Sequence, residues 1–300
     1  MVLRVYNRQT HNIEVEKVYG DKLVSGIYGT PIGRIFSHLL ATSPLSILYG
    51  KWQDSQMSAK VIPSFVKDYN INLNDYLPEE GLTEANPYST FNNFFIRKFK
   101  PEKRQFDKNN AILPAFSEGR YFGHASQKKD LKLPVKGNFL NSKNLLESST
   151  WEKTFLGGPV LISRLCPVDY HRFHFPDDGQ VLDQYRIAGE YHSVNPLALK
   201  VKPDIFITNE RSVSILDTAN FGKLAYIEVG AMCVGKIVQS HRALDFKRGD
   251  EKGYFLFGGS TVIVLGEPGI WAPSSDIIEN TQNGIEVLIN LGQEVAFLFK

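Results

Sequence analysis

The stretch FLFGGSTVIVL, residues 255 to 265, places a serine directly after two glycines inside an otherwise apolar run. A serine hydroxyl is a weak nucleophile until a base takes its proton. Two candidate bases, His171 and His174, stand in the stretch YHRFHFP, and an acid precedes a glycine at Glu118-Gly119. On a helix, a spacing of three would bring both imidazoles to one face, as in a metal site. The aromatic flanks, with Pro167 before and Pro176 after, argue instead for a strand. There, residues three apart point to opposite faces, so separate roles are expected and a shared metal is not. Suppose His174 takes the Ser260 proton and Glu118 orients His174, as a carboxylate orients a catalytic imidazole. The nearest carbonyl is then that of Gly259, in the serine's own backbone. Attack there exchanges an amide for an ester. β-Elimination would cut the chain and leave dehydroalanine, and loss of ammonia would turn it into a pyruvoyl group. Glycine suits such a step because it tolerates a strained backbone and adds no side chain around the carbonyl. Each motif alone also has a plain reading: a polar-tipped turn at FGGST, packed core histidines, a capping acid at Glu118. Their meeting in one β-rich segment is what points to self-cleavage.

The elements that must position these residues divide the chain near residue 105. Residues 1–105 read as largely helical after an opening strand or hairpin, MVLRVYNRQTHNIEV. Ser58 to Tyr69 has helical spacing despite Pro63, and Ser89-Thr90 precede FNNFFIRKF as a capped amphipathic helix. Residues 106–300 change texture. Short apolar runs alternate with Gly, Pro, Asn and Asp, the pattern of strands joined by turns. The expected class is α+β: a helical N-terminal membrane-associating region packed on a mainly antiparallel β-rich catalytic domain.

A chain of 300 residues can bury a sizeable core, and its net charge of +2 gives no field that would mark a nucleic-acid partner. Its two cysteines, Cys166 and Cys233, lack metal-ligand spacing and are expected as free thiols, with a disulfide between them left open. No apolar run reaches the roughly 18 residues of a membrane span. The run from Ile35 to Gly50, broken at Ser43-Pro44, reads either as core packing or as pieces lying on a membrane.

Taken together, PVDYHRFHFP, VNP at Val194 to Pro196, NER at Asn209 to Arg211, VGAMCVGKI at Val229 to Ile237, and FGGST resemble the phosphatidylserine decarboxylase family. The resemblance covers most of the chain, from FFIRKFKPEKR onward. It implies self-cleavage at Gly259-Ser260 into a β chain (1–259) and an α chain of 41 residues (260–300). It also implies an acid–histidine–serine relay of Glu118, His174 and Ser260, and a role for His171 in decarboxylation as general acid. The cofactor would be a pyruvoyl group made from Ser260, forming a Schiff base with phosphatidylserine and releasing phosphatidylethanolamine and CO2. Two departures stand out: Glu118 where the family usually has Asp, and Gly258 where it often has Leu. Expected partners are the lipid substrate and a membrane surface, met by Ile35 to Tyr49 and by Arg97, Lys98 and Arg104. The expected location is peripheral, on the cytoplasmic face of the cell membrane, with a homodimer left open. The competing classes are a pyruvoyl-dependent decarboxylase of another amine, a serine hydrolase using Ser260, His174 and Glu118, and a non-catalytic lipid-binding module.

Overall fold

A computed structural model describes residues 3–16, 50–126, 141–194, 198–199, 202, 204–231, 236–258 and 260–299. The alternating opening stretch forms an antiparallel hairpin, β1 (Arg4–Asn7) and β2 (Asn12–Val15). A short pair follows, β3 (Tyr76–Leu77) with β4 (Lys98–Phe99). The β-rich part then runs through β5 (Ile112–Pro114), β6 (Gly119–His124), β7 (Val160–Leu165), β8 (Arg172–His174) and β9 (Gly179–Ile187). It continues with β10 (Arg211–Thr218), β11 (Gly222–Gly230), β12 (Ile237–Gln239), β13 (Asp245–Phe246) and β14 (Glu251–Phe255). It ends with β15 (Ser260–Gly266), β16 (Trp271–Pro273), β17 (Glu286–Ile289) and β18 (Glu294–Leu298).

Ten of these strands make one sheet in the order β13-β9-β10-β11-β15-β7-β6-β17-β1-β2. Every ladder between the described strands is antiparallel except β1 with β17. β15 is interior, flanked by β11 and β7, and its continuous apolar run fits a strand covered on both faces. Odd residues such as Ile263 and Leu265 join a core capped by the helices Ser142–Leu146, Ser149–Phe155 and Ile205–Thr208. Even residues such as Val262 and Val264 join the opposite core. Two small sheets, β12-β14-β8 and β16-β18-β5, cover that second face.

Among the described residues before 105, helix is confined to short pieces. Ser58 to Tyr69 divides into a 3-10 turn, Gln56–Val61, and a helix, Ile62–Tyr69, with Pro63 in the first turn, where its missing N–H costs nothing. The helix Phe91–Phe95 is capped by Thr90, whose Oγ1 accepts from the Asn93 N–H at 3.1 Å. Most of the apolar stretch Ile35 to Gly50 lies outside the described residues. No described helix is long and apolar enough to cross a membrane. Arg97 corrects the expectation of a lipid-facing basic end. It is buried, lies over the Tyr76 and Phe94 rings, and donates to the Val168 and Asp169 carbonyls. Arg104 is likewise committed, to Glu118, so of the three nominated cations only Lys98 is exposed.

Candidate active site

Ser260 opens β15, fully buried, and its Oγ has no hydrogen-bond partner among the described residues. A buried hydroxyl without a partner costs stability and calls for an explanation. Its backbone is well held. Gly266 N donates across to Pro159 at 3.0 Å, so by alternation the even residues of β15 turn their N–H groups toward β7. The Ser260 N–H, the nitrogen of the Gly259-Ser260 bond, therefore faces Leu165. Gly230, opposite Ser260 on the other side, points away to Glu210 O at 3.0 Å. Gly259 itself lies outside the described residues.

The approach to Ser260 is clamped by the N-terminal region. Phe257 packs edge-on against Phe91 and Phe95, at 5.2 and 5.0 Å between centroids. Its N–H donates to Asn92 Oδ1 at 2.9 Å, and Asn92 in turn donates to Asp54. Gly258 has φ +152°, a conformation that side chains rarely adopt, so the glycine permits the local bend.

The two histidines sit on and beside β8 in different states. His171 stacks on Phe95 at 3.6 Å, and its backbone carbonyl accepts from Phe255 N at 2.9 Å. Its Nδ1 lies 3.0 Å from the Asp169 carbonyl. A carbonyl only accepts, so Nδ1 carries the proton and Nε2 keeps a free lone pair. That Nε2 is buried with no partner among the described residues. Burial, reinforced by the Arg97 charge, holds the His171 imidazole well below its ordinary pKa, so it is neutral. His174 is occupied at both nitrogens: Nδ1 donates to Gly249 O at 2.9 Å and Nε2 accepts from Tyr170 OH at 3.2 Å. Burial lowers its pKa too. Gly249, which accepts from His174, lines a cleft of about 720 Å³ with Arg104, Phe106, Arg248 and Asp250.

Glu118 stands one residue before β6, but its carboxylate is taken by Arg104, with contacts at 2.5 and 2.9 Å, and by the Leu291 N–H at 3.1 Å. No hydrogen bond among the described residues joins Glu118, His174 and Ser260. Gly119 is required by close approach: a Cβ there would sit 2.6 Å from the Arg164 carbonyl. The loop that presents His171 is fixed by groups the motif reading left unassigned. Asp169 pairs with Arg120 and accepts from the Cys166 N–H. Beside it Arg164 binds Glu16 at 2.8 Å and also Glu286, and Cys166 donates to Glu16 at 2.5 Å. Burial opposes the Glu16 charge, yet Arg164 and Arg120 outweigh it and bring its pKa down to about 2. Asp169 lies inside the quoted PVDYH, so its position was visible; its partner Arg120 was not.

A family model for phosphatidylserine decarboxylase matches residues 91–296. The chain belongs to the phosphatidylserine decarboxylase family. Its relatives include phosphatidylserine decarboxylase proenzymes of Clostridium novyi and Clostridium perfringens, each 38% identical over 98% of this chain and 99% of theirs. One from Ruminiclostridium cellulolyticum is 37% identical over 98% of this chain and 97% of its own length. The family assignment thus spans both the helix Phe91–Phe95 and the strand that starts at Ser260.

Proposed function

We propose that the chain is a self-cleaving phosphatidylserine decarboxylase, cut between Gly259 and Ser260. The observation that carries this is the buried, unpartnered Ser260 hydroxyl at the head of an interior strand, in a chain of this family. In the first step the Oγ proton goes to an imidazole, Oγ bonds to the Gly259 carbonyl carbon, and the amide C–N bond breaks as its nitrogen is protonated. In the second, loss of the Ser260 Cα proton expels the Gly259 carboxylate. Addition of water and loss of ammonia complete the pyruvoyl group. The orphaned hydroxyl fits a precursor of that group. Once made, the pyruvoyl carbonyl supplies an electron sink for the charge left when CO2 departs. The chain's own contribution is to exclude water around position 260 and to hold a neutral imidazole, His171, in the same core region.

The family pattern makes His174 the base for cleavage and Glu118 its orienting acid. A second assignment is favoured by the free Nε2 of His171 and the doubly engaged ring of His174: His171 takes the Ser260 proton, and His174 holds Tyr170. His171→Gln and His174→Gln separate the two, since the variant that stays uncut identifies the base. A whole chain that reacts with an active-serine phosphonate would favour the serine hydrolase reading instead.

Intact mass under denaturing conditions tests the whole reading. The wild type should give two fragments, the smaller covering 260–300 and taking up phenylhydrazine, while Ser260→Ala stays whole. A whole, active wild-type chain would remove the pyruvoyl mechanism. A lipid substrate also requires a membrane contact, which we assign to the N-terminal region, on a peripheral site at the cytoplasmic face. Trp52 and Met57 are exposed there, at 40% and 66%. Glutamate at both positions should weaken binding to phosphatidylserine vesicles; unchanged binding would remove this surface from the reading.

A further inference from the structure

Lys252 and Glu228 form an ion pair at 2.5 Å between side chains that are 2% and 0% exposed. The pair is closed by Gln239, whose Oε1 accepts from Lys252 at 2.9 Å and whose Nε2 donates to Glu228 at 3.1 Å. Three strands in two layers are thereby tied together: β11 in the large sheet, β12 and β14 in the small one. The remaining side of the ammonium faces the rings of Tyr226, Phe173 and Phe175, at 5.1 to 6.0 Å.

Two features connect this network to the cut. Glu228 pairs directly with Val262, two residues along β15 from Ser260, so its side chain rises from the same sheet face as the reacting hydroxyl. That diagonal corresponds to about 7–8 Å between strands. Lys252 is the extra residue of a β-bulge. Glu251 pairs with His174 and Gly253 with Phe173, so Lys252 has no partner of its own in the ladder. Bulges re-aim a side chain, and this one turns an ammonium inward directly opposite the strand that carries His174.

We propose that Lys252 and Glu228 are positioning residues for self-cleavage, which lock the histidine-bearing small sheet in register over Ser260. The inference rests on the self-cleavage reading above. A serine attacking its own backbone carbonyl depends on near-ångström placement, and an error of that size costs roughly a hundredfold in rate. Directional bonds across the two layers set that placement, where apolar packing alone would let one layer slide over the other. Replacing both members of a buried ion pair by apolar groups of similar volume usually keeps the fold, which separates positioning from stability.

The test is the double variant Lys252→Met/Glu228→Leu, followed by the rate of chain splitting and by the melting temperature. Splitting slowed roughly a hundredfold with the melting temperature kept, and restored toward wild type in Lys252→Arg with Glu228 intact, is the expected result. Splitting within about threefold of wild type by a folded double variant would overturn the inference. If the double variant loses its fold, Gln239→Leu decides: it keeps the ion pair and removes the tethers from β12 to that pair and to Ser212 on β10, so slower splitting supports the inference and an unchanged rate overturns it. A wild-type chain that never splits overturns the self-cleavage reading and this inference with it. Variants that split as fast as a splitting wild type overturn this inference alone.

Discussion

His171 is an imidazole held in its neutral form. Its Nδ1 proton is given to a carbonyl, and burial together with Arg97 keeps the ring from charging. The proposed cleavage should therefore proceed at a nearly constant rate from about pH 8 down through pH 6, where an ordinary histidine becomes half-charged. A time course of splitting across that range checks it. Stability responds in the opposite sense. The folded pKa lies below the unfolded value of 6.5, so below that pH the unfolded chain binds a proton the folded chain refuses. The contribution is complete above about pH 6.5 and is lost as pH falls below it. Melting temperature should thus fall more steeply between pH 7 and 5 in the wild type than in His171→Gln. The candidate residues and their order could be named from the sequence, because FGGST and the histidine pair are local words. Which imidazole is free could not. That depends on Tyr170, Gly249 and Asp169, whose contacts follow from a fold and not from spacing. Arg97 misled for the same reason: beside Lys98 it read as a membrane-facing cation, yet it turns back over Tyr76. A lone acid in LAYIEVGA and a lone lysine in EKGYFLF were the available signal for the buried pair of Glu228 and Lys252.

At the scale of elements, the short helix Phe91–Phe95 has an influence out of proportion to its length. Its Thr90 cap was readable, since an acceptor before an aromatic run is a start signal. Its task was not: Asn92 accepts the Phe257 N–H, and Phe91 and Phe95 grip the Phe257 ring. The segment entering the scissile bond is therefore held by a part of the chain made well before it. Asn92→Ala leaves that buried N–H without an acceptor, at a cost of about 1–3 kcal/mol. Splitting should slow at least tenfold while circular dichroism shows the fold retained. A wild-type rate would show that the aromatic grip alone suffices. The β-rich texture was legible from turn signals. The pairing of the strands was not, since the parallel contact of β1 with β17 joins the two ends of the sequence. The bulge at Lys252 has no sequence mark beyond the adjacent glycine.

For the whole molecule, the cut proposed at residue 259 does not divide two bodies. The smaller piece would carry β15, between β11 and β7, and β17, between β6 and β1, so it is woven into the large sheet at two places. Both fragments should elute together in gel filtration without denaturant and separate only when it is added; separation in native buffer would contradict this topology. The ion cluster around Arg164 has a consequence in time. Glu16 follows the first hairpin, Glu286 lies on β17, and both reach Arg164 beside the loop of Cys166 and Asp169 that carries His171. A ribosome makes Glu16 well before Glu286. The loop presenting the imidazole is thus braced by both acids only after β17 has been made. The proposed scission would thereby wait for a strand that retains the smaller fragment, and a nascent chain would be spared from severing itself before that strand exists.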